Sequence, residues 1–249
     1  AISYTLPPTR KSRMSNEHIK AWSYSRLVDF EQCKLRAKLK YIDRIPEPAR
    51  PLPPGKTEHA NDRGTRIHDA GERFVRGGVE LIPELKAFET EFNDLRNKYK
   101  HGMVSLEGEW AVNKDWEPVA WGDRDAWARI KLDAFVRLSK THAVVIDYKT
   151  GKKFGNEIKH AEQTQLYQLA SFLRYPELET IDVELWYTDQ DDLTHMKYTR
   201  AQGMRFFQNF NQRGIAMTSA EEFPPSPNVF ACKWCPYGPR GTGDCDKGV

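Results

Sequence analysis

The sequence predicts an α/β fold. Three observations carry this. Up to residue 100 the apolar residues recur at helical spacing; from Val104 an alternation of period two takes over; and a helix-length segment then separates two further strand-like runs. With 249 residues, the chain suits one compact domain with an appendage.

Each element has a local reason. Residues 1–20 are polar and basic and read as an arm. Ser25 is placed to cap a helix running to about Ile42, with Leu27, Phe30, Cys33, Ala37 and Tyr41 on one stripe and Lys34, Lys38 and Lys40 outside it. Pro46, Pro48, Pro51, Pro53 and Pro54 force a non-helical crossing. A second helix is expected from near Gly64 to Gly77-Gly78, and a third from Pro83 to Tyr99, with Leu85, Phe88, Phe92, Leu95 and Tyr99 on its apolar face. Strands are expected over Val104–Val112, Ala128–Val136 and Ala143–Asp147, with Gly151 in the turn that follows. A helix from about Ala161 to Arg174 is stopped by Tyr175-Pro176. Ile181–Tyr187 and Leu193–Tyr198 read as paired strands, and a helix from Ala201 to Arg213 closes the core. From Pro224 to Val249 there is no apolar periodicity, so something other than a hydrophobic core is expected to hold the tail.

Composition narrows the function. Hydrophobic residues make up 39% of the chain, with 16 glycines besides, which excludes general disorder. Mean hydropathy is −0.72 and the longest clean aliphatic run is Ala143–Ile146, so no bilayer span or leader core is expected. The net charge of +3 says little, but Thr9 to Arg50 holds eleven Lys/Arg against five Asp/Glu, a balance suited to a polyanion or to a solvated helix surface. By charge, Lys34, Lys38 and Lys40 are the candidates for DNA contact.

Chemistry concentrates in two segments. Asp133 sits inside one strand, and Asp147-Tyr148-Lys149-Thr150-Gly151 ends the next, 14 residues later. On a strand, Asp147 and Lys149 point to the same face, and a hairpin brings Asp133 alongside. Two carboxylates on one face repel unless a cation joins them, which predicts Mg²⁺ or Mn²⁺. A lysine beside that metal orients a water or stabilises phosphate charge, the apparatus of phosphodiester hydrolysis. The alternative is a pair of strand-end aspartates in surface ion pairs. His68 on the second helix adds an imidazole, and Gln163 and Tyr167 share a helix face four residues apart.

The order of these motifs resembles the RecB-like branch of the PD-(D/E)XK nuclease superfamily. The resemblance spans Ser23 to Cys245 and rests on Gly64-x3-His68, the strand ending at Asp133, the Asp147–Gly151 segment and Gln163-x3-Tyr167. It implies a restriction-endonuclease-like core, a central mixed sheet flanked by helices. It also implies that His68, Asp133, Asp147 and the main-chain carbonyl of Tyr148 bind Mg²⁺ or Mn²⁺, that Lys149 acts on the attacking water, and that Gln163 and Tyr167 support the site and the DNA backbone. Many relatives carry glycine shortly before the first strand aspartate, where this chain has Arg129-Ile130-Lys131-Leu132. Either Glu107 or Glu109, which share strand parity, stands as a further acid.

Cys232-x2-Cys235 is followed by Cys245 after nine residues, and 198 residues stand between Cys33 and Cys232. Four thiolates make a closed site for Zn²⁺ or an iron–sulfur cluster, and one knuckle with two single cysteines departs from the usual zinc ribbon. The pattern resembles the structural 4Fe–4S staple of iron–sulfur RecB-like nucleases, such as the AddB nuclease domain and CRISPR-associated nucleases that trim DNA ends. The resemblance therefore implies a division into the arm (1–20), a nuclease core (21–222) and an iron–sulfur segment (223–249) joined to Cys33.

Trp110, Trp116, Trp121 and Trp127 crowd one segment, where they either stack on unpaired bases or, the preferred reading, pack. His18, His59, His101, His142, His160 and His195 show no partner spacing and read as surface residues. The leading expectation is a metal-dependent DNA exonuclease in the cytoplasm of a bacterium or a phage-infected host, acting on ends or single strands, with a recombination or replication protein as partner. A structure-specific or flap endonuclease on the same site is the first alternative. A DNA-binding or complex-assembling subunit with little activity is the second, and a zinc-binding interaction module the third.

Overall fold

The structure, a computed structural model, describes residues 18–249. All but the last three residues of the expected basic arm therefore lie outside the described residues. The alternating segments form β1 (Val104–Val112), a two-residue β2 (Pro118–Val119), β3 (Ala128–Arg137), β4 (His142–Lys149), β5 (Thr180–Tyr187) and β6 (Asp192–Thr199). These make one six-stranded sheet in the order β2-β1-β3-β4-β5-β6. Only β4 and β5 run parallel; the other pairs are antiparallel. A parallel pair needs a crossover, and α5 (Glu157–Arg174) supplies it. The sheet is thus mixed and flanked by helices, as expected.

Each face buries a separate core. On one, Ile67, Phe74 and Val75 of α3 (Ala60–Arg76) and Phe92 and Leu95 of α4 (Glu89–Lys100) pack on Ile146, Tyr148 and Trp186. On the other, α5 packs with α1 (Tyr24–Gln32) and α7 (Phe207–Thr218) over Ile130, Leu132, Val145 and Val183. Neighbouring residues of β4 divide between these faces. Ile146 and Tyr148 go to the α3 side, and Val145, which shares parity with Asp147 and Lys149, goes to the α5 side.

Strands β1 and β3 depart from this rule. Leu132 packs in the α5-side core and Ala134 in the α3-side core, although they share strand parity. Leu106 and Trp110 of β1 are divided in the same way. The switch falls at Glu107, whose φ of +48° is left-handed, and at Asp133 opposite it; the ladder pairs Leu106 with Ala134 and Gly108 with Leu132 but skips the two acids. Asp133 therefore occupies an irregularity between two regular stretches of strand.

Several boundaries differ from the sequence reading. The first helix is broken at Cys33, whose extended backbone (φ −160°, ψ 111°) ends α1 and starts α2 (Lys34–Tyr41). Ser23, not Ser25, caps α1: its hydroxyl accepts the Arg26 N–H. Pro83–Phe88 is a 3-10 turn, and α4 begins only at Glu89. The last long helix is two pieces, α6 (Arg200–Met204) and α7. The tail contains a short helix, α8 (Val229–Lys233), and one apolar anchor. Tyr237 is fully buried, and its hydroxyl donates to Ile45 O at 3.1 Å. The expectation that nothing apolar docks the tail is corrected to that extent. Among the described residues no helix is long and apolar enough to cross a membrane.

Candidate active site

Strands β3 and β4 pair up to Ala134↔Ile146, which leaves Asp133 and Asp147 as the next residues of the two strands. Both are buried, at 8% and 6% exposure. Asp133 is fixed from two sides. Its Oδ2 accepts the Tyr148 N–H at 2.6 Å, and its Oδ1 accepts His68 Nδ1 at 2.6 Å.

One stripe of α3 brings His68 there. Gly64, His68 and Gly71 fall at helical spacing on the side facing the end of β4. A Cβ on Gly64 would lie 3.3 Å from Thr150 Oγ1, and one on Gly71 would lie 3.1 Å from the Tyr148 ring. The two glycines let the helix backbone close on the strand, and the imidazole between them reaches Asp133.

The other half of the site is built from β4 and α5. Lys149 Nζ lies 2.6 Å from Asp147 Oδ2 and donates to Gln163 Oε1 at 2.7 Å. Tyr167 OH donates to Asp147 Oδ1 at 3.2 Å and meets Gln163 Nε2 at 3.5 Å. The lysine contact on Asp147 Oδ2 is an ion pair without hydrogen-bond alignment, so this buried oxygen lacks a directed donor.

The electrostatics follow from burial. Desolvation pushes the Asp133 carboxyl up to about 6; the His68 hydrogen bond opposes that shift and the Asp147 charge adds to it. Burial works against a charged His68, but Asp133 first and Asp147 second outweigh it and raise its pKa. Burial, then the Asp147 charge, holds the Tyr167 phenol well above its usual range, so it stays a donor. Two close carboxylates in a dry site, one oxygen without a directed donor and an imidazole within reach form a donor set that fits a hard divalent cation. Among the described residues, no three His, Cys, Asp or Glu side chains already stand together as a metal-binding group.

The two glutamates separate. Glu107 is half-buried at the irregularity opposite Asp133 and pairs with Lys131 at 2.6 Å, whereas Glu109 is exposed and pairs in register with Lys131. The basic helix is largely neutralised: Lys38 pairs with Asp43 at 2.6 Å, and Lys40 with Asp29 at 3.3 Å and Glu47 at 3.2 Å. Lys34 is exposed and lies over the Phe30 ring.

Cys33, Cys232, Cys235 and Cys245 are all half-buried free thiols, and all four line one cavity between α2 and the tail. The break at Cys33 makes this possible, because it takes the residue out of the helical stripe. The Ser226 N–H reaches Cys33 Sγ at 3.5 Å, so the tail meets the break directly.

Sequence reasoning missed the roles of three histidines. His142 and His195 both bond Asp182, each from a neighbouring strand, and with burial opposing them they lower its carboxyl pKa. The expectation that they have no partner is corrected, although His195 is exposed and His142 half-buried; only the β4-β5-β6 register reveals the cluster. His160 pairs with Tyr187 OH at 2.8 Å, one turn before Gln163. Burial and the Lys149 charge push its imidazole down to about 4, so it is neutral. Of the four clustered tryptophans, Trp110, Trp116 and Trp127 are buried in the α5-side core, as the packing reading expects, and Trp121 is half-buried outside both cores.

Comparison with known proteins bears on the family and the fold. The family model of the PD-(D/E)XK nuclease superfamily matches residues 21–240. No curated protein matches the chain. The crystal structure of SSO0001 is similar in fold, with a TM-score of 0.50 at 14% identity, covering 94% of this chain and 89% of that one. A phage related exonuclease from Haemophilus somnus 129PT aligns with a TM-score of 0.31 at 10% identity, over 66% of this chain and 87% of its own. LHK-Exo, solved in complex with dAMP, aligns at 0.30 and 12% identity, over 82% and 90%.

Proposed function

The chain belongs to the PD-(D/E)XK nuclease superfamily, and from that premise we propose that it is an Mg²⁺- or Mn²⁺-dependent exonuclease that hydrolyses phosphodiester bonds at DNA ends. The observation that carries the reading is the double anchoring of Lys149. Its ammonium lies on Asp147 and donates to Gln163, beside two buried carboxylates.

In this reading Asp133, Asp147, His68 and the Tyr148 carbonyl would hold the metal, with Glu107 the nearer of the two candidate further acids. A bound Mg²⁺ or Mn²⁺ supplies Lewis-acid polarisation of the scissile phosphate and acidifies a water. The protein's own groups do the positioning. Lys149 presents its charge where the attacking water and the phosphate oxygens meet. Gln163 keeps that amine from swinging away. Tyr167, its phenol kept protonated by burial, donates to Asp147 Oδ1 and so orients the carboxylate that would hold the metal. His68 turns the Asp133 carboxylate.

The four thiols around one cavity support a second part of the proposal, a structural 4Fe–4S cluster that joins Cys33 to the tail, with Zn²⁺ as the alternative occupant. Among the described residues that line the cavity there is no His, Asp or Glu beside the four cysteines, which suits a thiolate-ligated centre. The cluster would add docking energy to the one apolar anchor of the tail, Tyr237. Thiols kept reduced for such a centre suit the cytoplasm, in a bacterium or a phage-infected host, and a recombination or replication protein suits an enzyme of DNA ends.

Digestion of end-labelled linear DNA and closed circular DNA, each with Mg²⁺ and with EDTA, tests the function. Release of label from the linear substrate alone, and only with metal, is expected. Cutting of the circle would replace the exonuclease with an endonuclease on the same site. No cutting of either would remove the catalytic reading.

A further inference from the structure

An open cleft of about 340 Å³ lies beside the catalytic residues on the α5 side of the sheet. Its lining includes Gln163 and Tyr167, the two residues that touch Lys149 and Asp147. Trp121, Arg129, Arg26 and Ser25 line it as well. The segment before α1 runs along the start of β3, with Trp22 N–H donating to Trp127 O and Arg129 N–H to Trp22 O, both at 2.9 Å. That pairing fixes the spacing between the Arg26 side and the Arg129 side.

The lining has the chemistry of a nucleic-acid strand site. Both arginines are turned onto main-chain carbonyls rather than carboxylates: Arg26 donates to Ala21 O at 3.1 Å and Arg129 to Trp121 O at 3.1 Å. Their charge is therefore free to meet a phosphodiester. Lys131, the third cation of the cleft, is already paired with Glu107. Trp121 differs from the other tryptophans of its segment. They fill the core, whereas its half-buried ring lies on the cleft with the Arg129 guanidinium 5.6 Å from the ring centroid. A guanidinium held over an indole keeps a cation next to an aromatic surface, a pair that can serve a base and its phosphate together.

We propose that this cleft is a subsite for single-stranded DNA next to the scissile phosphate, with Trp121 stacked on an unpaired base and Arg129 and Arg26 on neighbouring phosphates. This deepens the nuclease reading and rests on it for the direction in which the strand leads, towards Lys149. Inside a duplex a paired base has both faces covered by its neighbours, and only the terminal pair keeps one face open, so the Trp121 ring favours an unpaired strand.

Binding of a fluorescein-labelled single-stranded oligonucleotide and of its blunt duplex, followed by anisotropy in EDTA so that nothing is cleaved, tests the assignment. Trp121→Ala should weaken the single strand about tenfold and leave the duplex unchanged, and Trp121→Phe, which keeps a ring, should fall between it and the wild type. Arg129→Ala should flatten the dependence of log affinity on log salt by about 0.7 for the single strand, the signature of one lost phosphate contact. Unchanged single-strand affinity in Trp121→Ala, or an equal loss on both substrates, would overturn the subsite. The nuclease reading fails separately. If the wild type binds strands through Trp121 but releases no end label with Mg²⁺ or Mn²⁺, the cleft stands as a strand-binding site and the catalysis does not.

Discussion

Lys149 Nζ donates to Gln163 Oε1 at 2.7 Å, linking the last residue of β4 to the second turn of the helix that follows it. The loop between them carries the chain away from the sheet and back, and this contact holds the lysine over Asp147. Gln163 is thus a positioning residue: it acts through the lysine.

Gln163→Ala should lower kcat about 10- to 100-fold, in line with the loss of other outer-shell partners, with little change in Tm. Gln163→Glu keeps an acceptor for the ammonium and should recover part of the rate. A Gln163→Ala enzyme with wild-type kcat would show that Lys149 needs no such support.

Metal binding should depend on pH in a defined direction. The Asp133 carboxyl is raised to about 6 by burial and by Asp147, and His68 is raised by Asp133 and Asp147 against the effect of burial. Asp133 favours the folded state while protonated, a contribution lost as pH rises from the ordinary carboxylate range through about 6. The His68 contribution is present below the ordinary imidazole pKa and is lost as pH rises through its elevated value. Both signs agree. A metal must displace these protons, so the increase in Tm caused by Mn²⁺ should be small at acidic pH and grow as pH rises through 6 towards 8. An increment that does not change with pH would contradict the assignment of Asp133 and His68 as ligands.

The cysteine staple makes a prediction independent of catalysis. Cys33→Ser should bleach the visible absorbance of the anaerobically purified protein, lower its Tm and reduce soluble yield. Activity should fall only as far as folding does. Stoichiometric zinc in a colourless wild-type protein would keep the staple and change its metal. A Cys33→Ser protein with unchanged colour and Tm would remove Cys33 from the set.

The sequence revealed most where chemistry depends on local spacing. Asp147 and Lys149 share a strand face because they are two residues apart, and Gln163 and Tyr167 share a helix face because they are four apart; neither relation needs the rest of the fold. The Gly64, His68 and Gly71 stripe was visible as far as the histidine, but its second glycine has meaning only beside the Tyr148 and Phe92 rings. The break at Cys33 was hidden because good helix formers lie on both sides of it. The side switch at Glu107 and Asp133 is marked in the sequence only by Gly108 beside it, and a single glycine within an alternating run does not say that the strand changes face there. His142, Asp182 and His195 meet through the sheet register alone, as contacts between three strands must.

The measurement closest to the central claim is release of an end label from linear DNA by the wild type and by Asp147→Asn, in Mg²⁺ and in Mn²⁺, with the Tm of each protein recorded. Asparagine keeps the volume and loses the charge, so the variant should fold, bind DNA and release no label with either metal. Wild-type release by a folded Asp147→Asn protein would contradict the account at its centre.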